Sequence, residues 1–240
     1  IAMRKLLFVL ALALEFASTD SRERVSAQNV ESWISSYYLA PKADEVADTL
    51  AVLAAKGLLE SDQAEAALSG FFAEVFRANP GRVEDWVQPY MGLPKRFVIY
   101  TALWMAHSRE SMFALGRMAD VAPFEEGPAL RVLRGSLPPS IESMPIDSPA
   151  TLDFLWGCFF ASGSEVPVLR IIDQMKLADR RGDANAMLIG GAAQRSVSAN
   201  ARQHEKVLSI VKERAQAAEA ETKAKLDEIS SATEAERAKK

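Results

Sequence analysis

Two apolar runs separated by a short polar break fill the stretch 152–175, LDFLWGCFFASGSEVPVLRIIDQM, and they constrain the fold more than any other text in the chain. Leu152, Leu155, Trp156, Phe159 and Phe160 recur at helical spacing and make one broad apolar face. Gly163 and Ser164 supply a turn, after which Val168, Leu169, Ile171, Ile172 and Met175 return as a second helix. Pro167 suits the first turn of that helix, where a missing N–H costs little. Two amphipathic helices joined this way leave an apolar face uncovered, and a further hairpin stacked on it buries that face.

The rest of the chain reads as helix after helix. ADEVADTLAVLAAKG places Val46, Leu50, Leu53 and Ala54 at helical intervals, with Gly57 as a stop. SDQAEAALSGFFAEVFRANPG opens on Ser61 and Asp62 as capping residues, with Glu65 placed to complete a capping box. It runs through Leu68, Phe71, Phe72, Val75 and Phe76 and ends at Pro80–Gly81. RVEDWVQPYMG makes a short helix, and PKRFVIYTALWMAHS with RESMFALGRMADV makes another pair. The β-branched run RFVIYTALW is long enough, with its continuation, to be a buried helix. Ala78, Ala106 and Ala161 each precede a polar turn, with Phe76, Trp104 and Phe159 two residues earlier. Their unequal spacing, and the poor helix text of ALRVLRGSLPPSIESMP, predict irregular hairpins. No tetratricopeptide consensus can be traced.

The expected architecture is therefore all-α, an irregular stack of αα-hairpins (solenoid-like or TPR-like) with a projecting C-terminal helix. Residues 28–211 form the hairpin domain. The Pro-rich segment 137–149, LPPSIESMPIDSP, is its main internal loop. Residues 212–240 are an Ala/Glu/Lys-rich tail whose only large apolar residues after Val211 are Leu226 and Ile229, so it is expected to stand away from the core. Self-association through this tail would be a weak coiled coil.

Residues 1–27 read as a secretory signal peptide. Arg4 and Lys5 precede the apolar run Leu6 to Leu14, which is too short for a bilayer, and Val25 and Ala27 have the small-residue spacing of a cleavage site. No stable membrane span is expected after cleavage. The expected location is periplasmic or secreted. Cys158 is the only cysteine among 240 residues, so no internal disulfide can form, and its place between Trp156 and Phe159 suits a small buried hydrophobe. A chain this long buries about 70% of its unfolded surface and needs no staple. The net charge of −4 argues against broad nucleic-acid binding.

Catalytic constellations are absent from the text. His107 and His204 lie far apart and outside any metal-ligand spacing, so no metal or other cofactor is expected. His107, in AHSRES, reads as a capping or surface histidine, and His204 as the start of the last packed helix. LIGGAAQRS lacks the lysine of a phosphate loop, and SIVK, Ser209 to Lys212, lacks the companion motifs of penicillin-interacting serine enzymes. The paired carboxylates Glu84, Asp85, Glu125 and Glu126 read as solvated face.

Aromatic residues remain. Trp33, Trp86, Trp104 and Trp156 fall about once per hairpin, and SSYYLAP adds Tyr37 and Tyr38. Packing between helices is their first role. A groove for a peptide or an apolar ligand, lined by Trp33, Tyr37, Trp86, Trp104 and Trp156, is the functional alternative.

Three stretches, WISSYYLAP, GFFAEVFRANPGRVEDWV and LDFLWGCFFASGSEVPVLRIID, resemble stretches of exported bacterial all-α proteins of unknown function, across roughly residues 30–211. That resemblance implies fold and compartment and adds no catalytic residue. The function expected is a non-enzymatic interaction or scaffold domain of the bacterial envelope, its partner another protein. The alternatives are a carrier of a small apolar ligand and a hydrolase using the His107 turn.

Overall fold

Apolar residues at three- and four-residue spacing give helices along the whole described chain. The computed structural model describes residues 27–239, and the signal-peptide reading lies almost wholly outside them. The helices are α1 (Ala27–Ser36), α2 (Val46–Ala55), α3 (Asp62–Ala78), α4 (Val83–Val87), α5 (Phe97–Ala106), α6 (Arg109–Val121), α7 (Gly127–Gly135) and α8 (Pro149–Ser162). There follow α9 (Glu165–Gln174), α10 (Ala184–Gln203), α11 (Glu205–Ala217) and α12 (Ala220–Arg237). Single 3-10 turns connect several of them, and the described residues contain no strand. The fold is all-α.

Local chemistry sets the boundaries. Gly163 takes φ +65° after α8, and Ser164 then caps α9 by accepting the Val166 N–H. His107 itself adopts φ +50° at the end of α5, donating its N–H to Leu103 O at 3.2 Å, which is the capping role read from AHSRES. Ser108 caps α6, its Oγ accepting the Ser111 N–H at 3.0 Å, and Asp183 caps α10. Ser61 does precede α3, but its hydroxyl makes no capping bond; its carbonyl alone receives the Ala64 and Glu65 N–H groups.

The described chain forms two compact units. One takes in the residues up to Pro139 together with Trp156–Gly163; the other takes in Ser140–Leu155 together with the chain from Ser164 onward. Helix α8 contributes residues to both.

In the first unit α3 is the spine. Phe71, Phe72 and Phe76 are fully buried on it, and its principal neighbour is α5, a largely apolar helix that is enclosed except at Phe97, Thr101 and Trp104. Arg77 ties the two helices by donating to Met105 O at 2.6 Å. The C-terminal half of α8 passes directly against the α3 backbone: a Cβ on Gly157 would overlap the Ala67 carbonyl oxygen and stand 2.7 Å from the Phe71 amide nitrogen. Cys158 is fully buried beside this crossing, its thiol 3.5 Å from Gly70 O. Burial, followed by the charge of Glu74, pushes that thiol well above its usual range, so it packs as a small hydrophobe.

The segment 127–135 forms α7, where poor helix text was expected. Pro128 near its start needs no N–H partner, and Leu130 is the side chain that anchors it.

In the second unit α10 is central and packs on α9, α11, α12 and the turn at 175–179. Gly190 makes the closest approach: a Cβ there would overlap Ala178 N and lie 2.5 Å from the Leu177 carbonyl carbon. The Pro-rich loop is held by Arg170, which donates to the carbonyls of Ile141 and Met144, and by Asn185, which donates to Asp147 O at 3.1 Å.

The tail does not project. Helix α12 folds back on α11 and α10, burying Leu226, Ile229, Ser230 and Thr233 along one stripe. Ion pairs Lys225–Asp179, Lys212–Glu234, Arg202–Glu236 and Arg237–Glu205 frame that stripe. Ser230 and Thr233 fill the rest of that stripe beside Leu226 and Ile229.

Asp153, on α8, is largely buried and has neither an ion pair nor a hydrogen bond among the described residues. Burial raises its carboxyl from 3.8 to about 6. Between those values the folded protein holds a proton that the unfolded chain has released. The stabilisation this proton confers is complete below pH 3.8 and is lost as pH rises through 6. The displacement is equivalent to at most about 3 kcal/mol, and the side chain's residual solvent contact reduces it to about 2. Asp153→Asn is therefore expected to melt above the parent at pH 7.5 and close to it at pH 3.5, a comparison made by calorimetry.

Candidate functional site

Four of the five aromatic residues proposed for a groove lie along the first unit's core. Trp33 and Tyr37 meet Phe71 at ring distances of 5.7 and 5.3 Å, and Phe71, Phe72 and Phe76 continue in a ladder to Trp86. Tyr37 and Trp86 are buried, Trp33 is half-buried with its indole N–H donated to Glu45 Oε2 at 2.7 Å, and Arg82 lies over the Trp86 ring. Trp156 is buried against Phe159 and Phe160, and its Nε1 has no hydrogen-bond partner. Trp104 stands apart from that ladder. It is half-buried and donates to Ser136 O at 3.1 Å, anchoring the chain just beyond α7.

A polar cluster that sequence reasoning did not foresee lies at the start of α5. The Arg96 guanidinium, 8% exposed, pairs with Glu60, while its Nε is buried without a partner. Glu126 accepts from the Lys95 backbone N–H at 2.7 Å and from the Tyr100 hydroxyl at 3.1 Å. Burial, then the charge and hydrogen bond of Glu126, push the Tyr100 hydroxyl far up, with Arg96 opposing. Glu126 is thus a structural acceptor joining the α6–α7 turn to α5, and Glu84 pairs with Arg117. Neither is solvated face, as the paired-carboxylate reading had them; both are recruited by partners more than twenty residues away. These bonds tie the α6–α7 turn to the start of α5 and keep the Tyr100 hydroxyl protonated.

The motif residues elsewhere have local duties. Ser108 Oγ is occupied by the α6 cap and by Ser111 Oγ at 2.8 Å. Ser209 donates to Glu213 at 2.9 Å, Lys212 pairs with Glu234, and His204 caps α11 with burial holding its imidazole below the usual range. The described residues contain no cluster of three or more His, Cys, Asp or Glu able to hold a metal. No helix among them is long and apolar enough to cross a membrane.

What the surface offers is apolar. Most of the large exposed hydrophobic side chains among the described residues fall between Leu93 and Leu137. Phe113 on α6 is 64% exposed, Phe124 in the following turn 95%, Val132 on α7 71% and Leu137 just beyond it 81%. Helices α6 and α7 pack together, with the Arg134 guanidinium laid across Gly116. Arg131 and Arg134 have no carboxylate partner among the described residues. Exposed apolar side chains beside free guanidinium groups are the residue types found at protein contact surfaces.

No family model, curated protein or solved structure matches the chain.

Proposed function

We propose that this chain is a non-enzymatic interaction domain exported to the bacterial envelope, and that the α6–α7 surface is its contact face for another protein. The exposure of Phe113, Phe124, Val132 and Leu137 beside two unpaired arginines carries this reading. Large apolar side chains left in water cost solubility, and aromatic and arginine residues are the types that anchor interfaces. Export is supported by Arg4 and Lys5 ahead of the Leu6–Leu14 run.

The variant Phe124→Ser, Val132→Ser, Leu137→Ser tests it. Its melting temperature should match the parent, because exposed side chains add little to stability. Saturable binding to the envelope fraction of its native cell should fall at least tenfold. Unchanged binding would place the contact face elsewhere.

A further inference from the structure

The turn between α11 and α12 is written in helix-forming residues. RAQAAEAETKAK, residues 214–225, contains no Gly, Pro, Asn, Asp or Ser, and Ala, Glu, Gln and Lys are among the strongest helix formers. Neither a glycine nor a side-chain cap marks the turn. Ala218 ends α11 with φ −84° and ψ 152°, outside the left-handed conformation of a glycine cap, and Glu219 begins α12 with no side-chain capping bond. Terminal carbonyls of α11 and N–H groups of α12 go without intrahelical partners because the chain bends here. Local propensity and the observed fold disagree at this turn.

Docking of α12 is correspondingly light. Its seam has two large apolar residues, its Thr233 hydroxyl is buried without a hydrogen-bond partner, and the ion pairs around it are substantially exposed. We infer that 217–219 is a hinge, and that α11 and α12 straighten into one helix, Glu205 to Arg237, whose α12 segment docks in the α10–α11 groove of a second copy.

Charge complementarity identifies that occupant. The groove offers Lys212 to Glu234, Arg202 to Glu236, Glu205 to Arg237 and Asp179 to Lys225, and an α12 from another copy satisfies the same four pairs. Exchange therefore conserves the docking contacts and adds the helical hydrogen bonds missing at the turn. Its cost is the association of two chains, so the exchanged form grows with concentration.

Glu219→Pro separates the two states. Glu219 already has φ −61° and follows a residue in extended conformation, so proline fits the hairpin. In the straight helix it would remove a hydrogen bond and clash with the preceding turn. Light scattering of the full chain over about a hundredfold range of concentration should show monomer passing to dimer, while Glu219→Pro stays monomeric. The second measurement does not depend on that variant folding. Spin labels at Lys212→Cys and Glu234→Cys, on chains diluted into unlabelled protein, report the distance within one chain. These residues are ion-paired at 2.5 Å in the hairpin and would be about 33 Å apart along a straight helix. Dimers showing the long distance support the exchange. A parent that stays monomeric, a dimer that keeps the short distance, or a folded Glu219→Pro that dimerises like the parent would each overturn it.

Discussion

Replacing Gly157 with Ala is expected to destabilise the unit built on α3 by about 3 kcal/mol or more, lowering its melting temperature by roughly 10 °C. The added methyl would sit on the Ala67 carbonyl oxygen and close to the Phe71 amide nitrogen. Both are backbone atoms of a buried helix, so no rotamer change relieves the clash and α8 must move off α3. That movement would open the contacts around Phe71, Phe159 and Cys158, all fully buried. Alanine's better helix propensity returns only about 1 kcal/mol. Gly135→Ala is the control: nothing lies within 4 Å of a Cβ at that position on α7, so the variant should be neutral or slightly stabilised. Denaturant unfolding of the three proteins, followed by tryptophan emission, makes the comparison.

Gly190→Ala should have an effect of the same size in the other unit, and its neighbour should have the opposite sign. A Cβ at 190 meets the backbone of Leu177 and Ala178, the turn on which α10 rests. A Cβ at 191 meets only the guanidinium end of Arg195, at 3.1 Å, and that flexible side chain can swing away. Two adjacent glycines on one helix thus predict opposite outcomes: a loss of about 3 kcal/mol at 190 and a gain of up to about 1 at 191. Calorimetry on both variants reads the signs directly. Equal losses at both positions would mean that α10 does not rest on the 175–179 turn as described.

Helices α2, α3, α5, α8 and α9 were legible in the sequence because large apolar residues recur at helical spacing between clear breaks such as Gly57, Pro80–Gly81 and Gly163. Helix α7 was not, since Gly127, Pro128 and Gly135 within nine residues look like breaks and Leu130 is its one large buried side chain. The docking of α12 escaped for a related reason. Ser230 and Thr233 pack as small residues, and polarity in a sequence says nothing about how closely a helix can be approached. Gly157 and Gly190 each interrupt a helix, a hint of close backbone approach, yet which backbone comes near is decided by folding. The Glu60–Arg96 and Tyr100–Glu126 pairs join residues 36 and 26 positions apart, and nothing local announces either. The contact face proposed for α6–α7 is the least legible of all: Phe113 and Val132 look like core residues until burial shows them outside.

That face is the centre of the functional account, and site-specific photo-crosslinking in the native cell tests it most directly. A photoreactive residue at Val132 is compared with one at Met187, an exposed apolar position on α10 in the other unit. A discrete protein adduct is expected from position 132, absent at 187 and lost when Phe124→Ser and Leu137→Ser are added. No adduct at 132, or the same adducts from both positions, would contradict the proposed contact face.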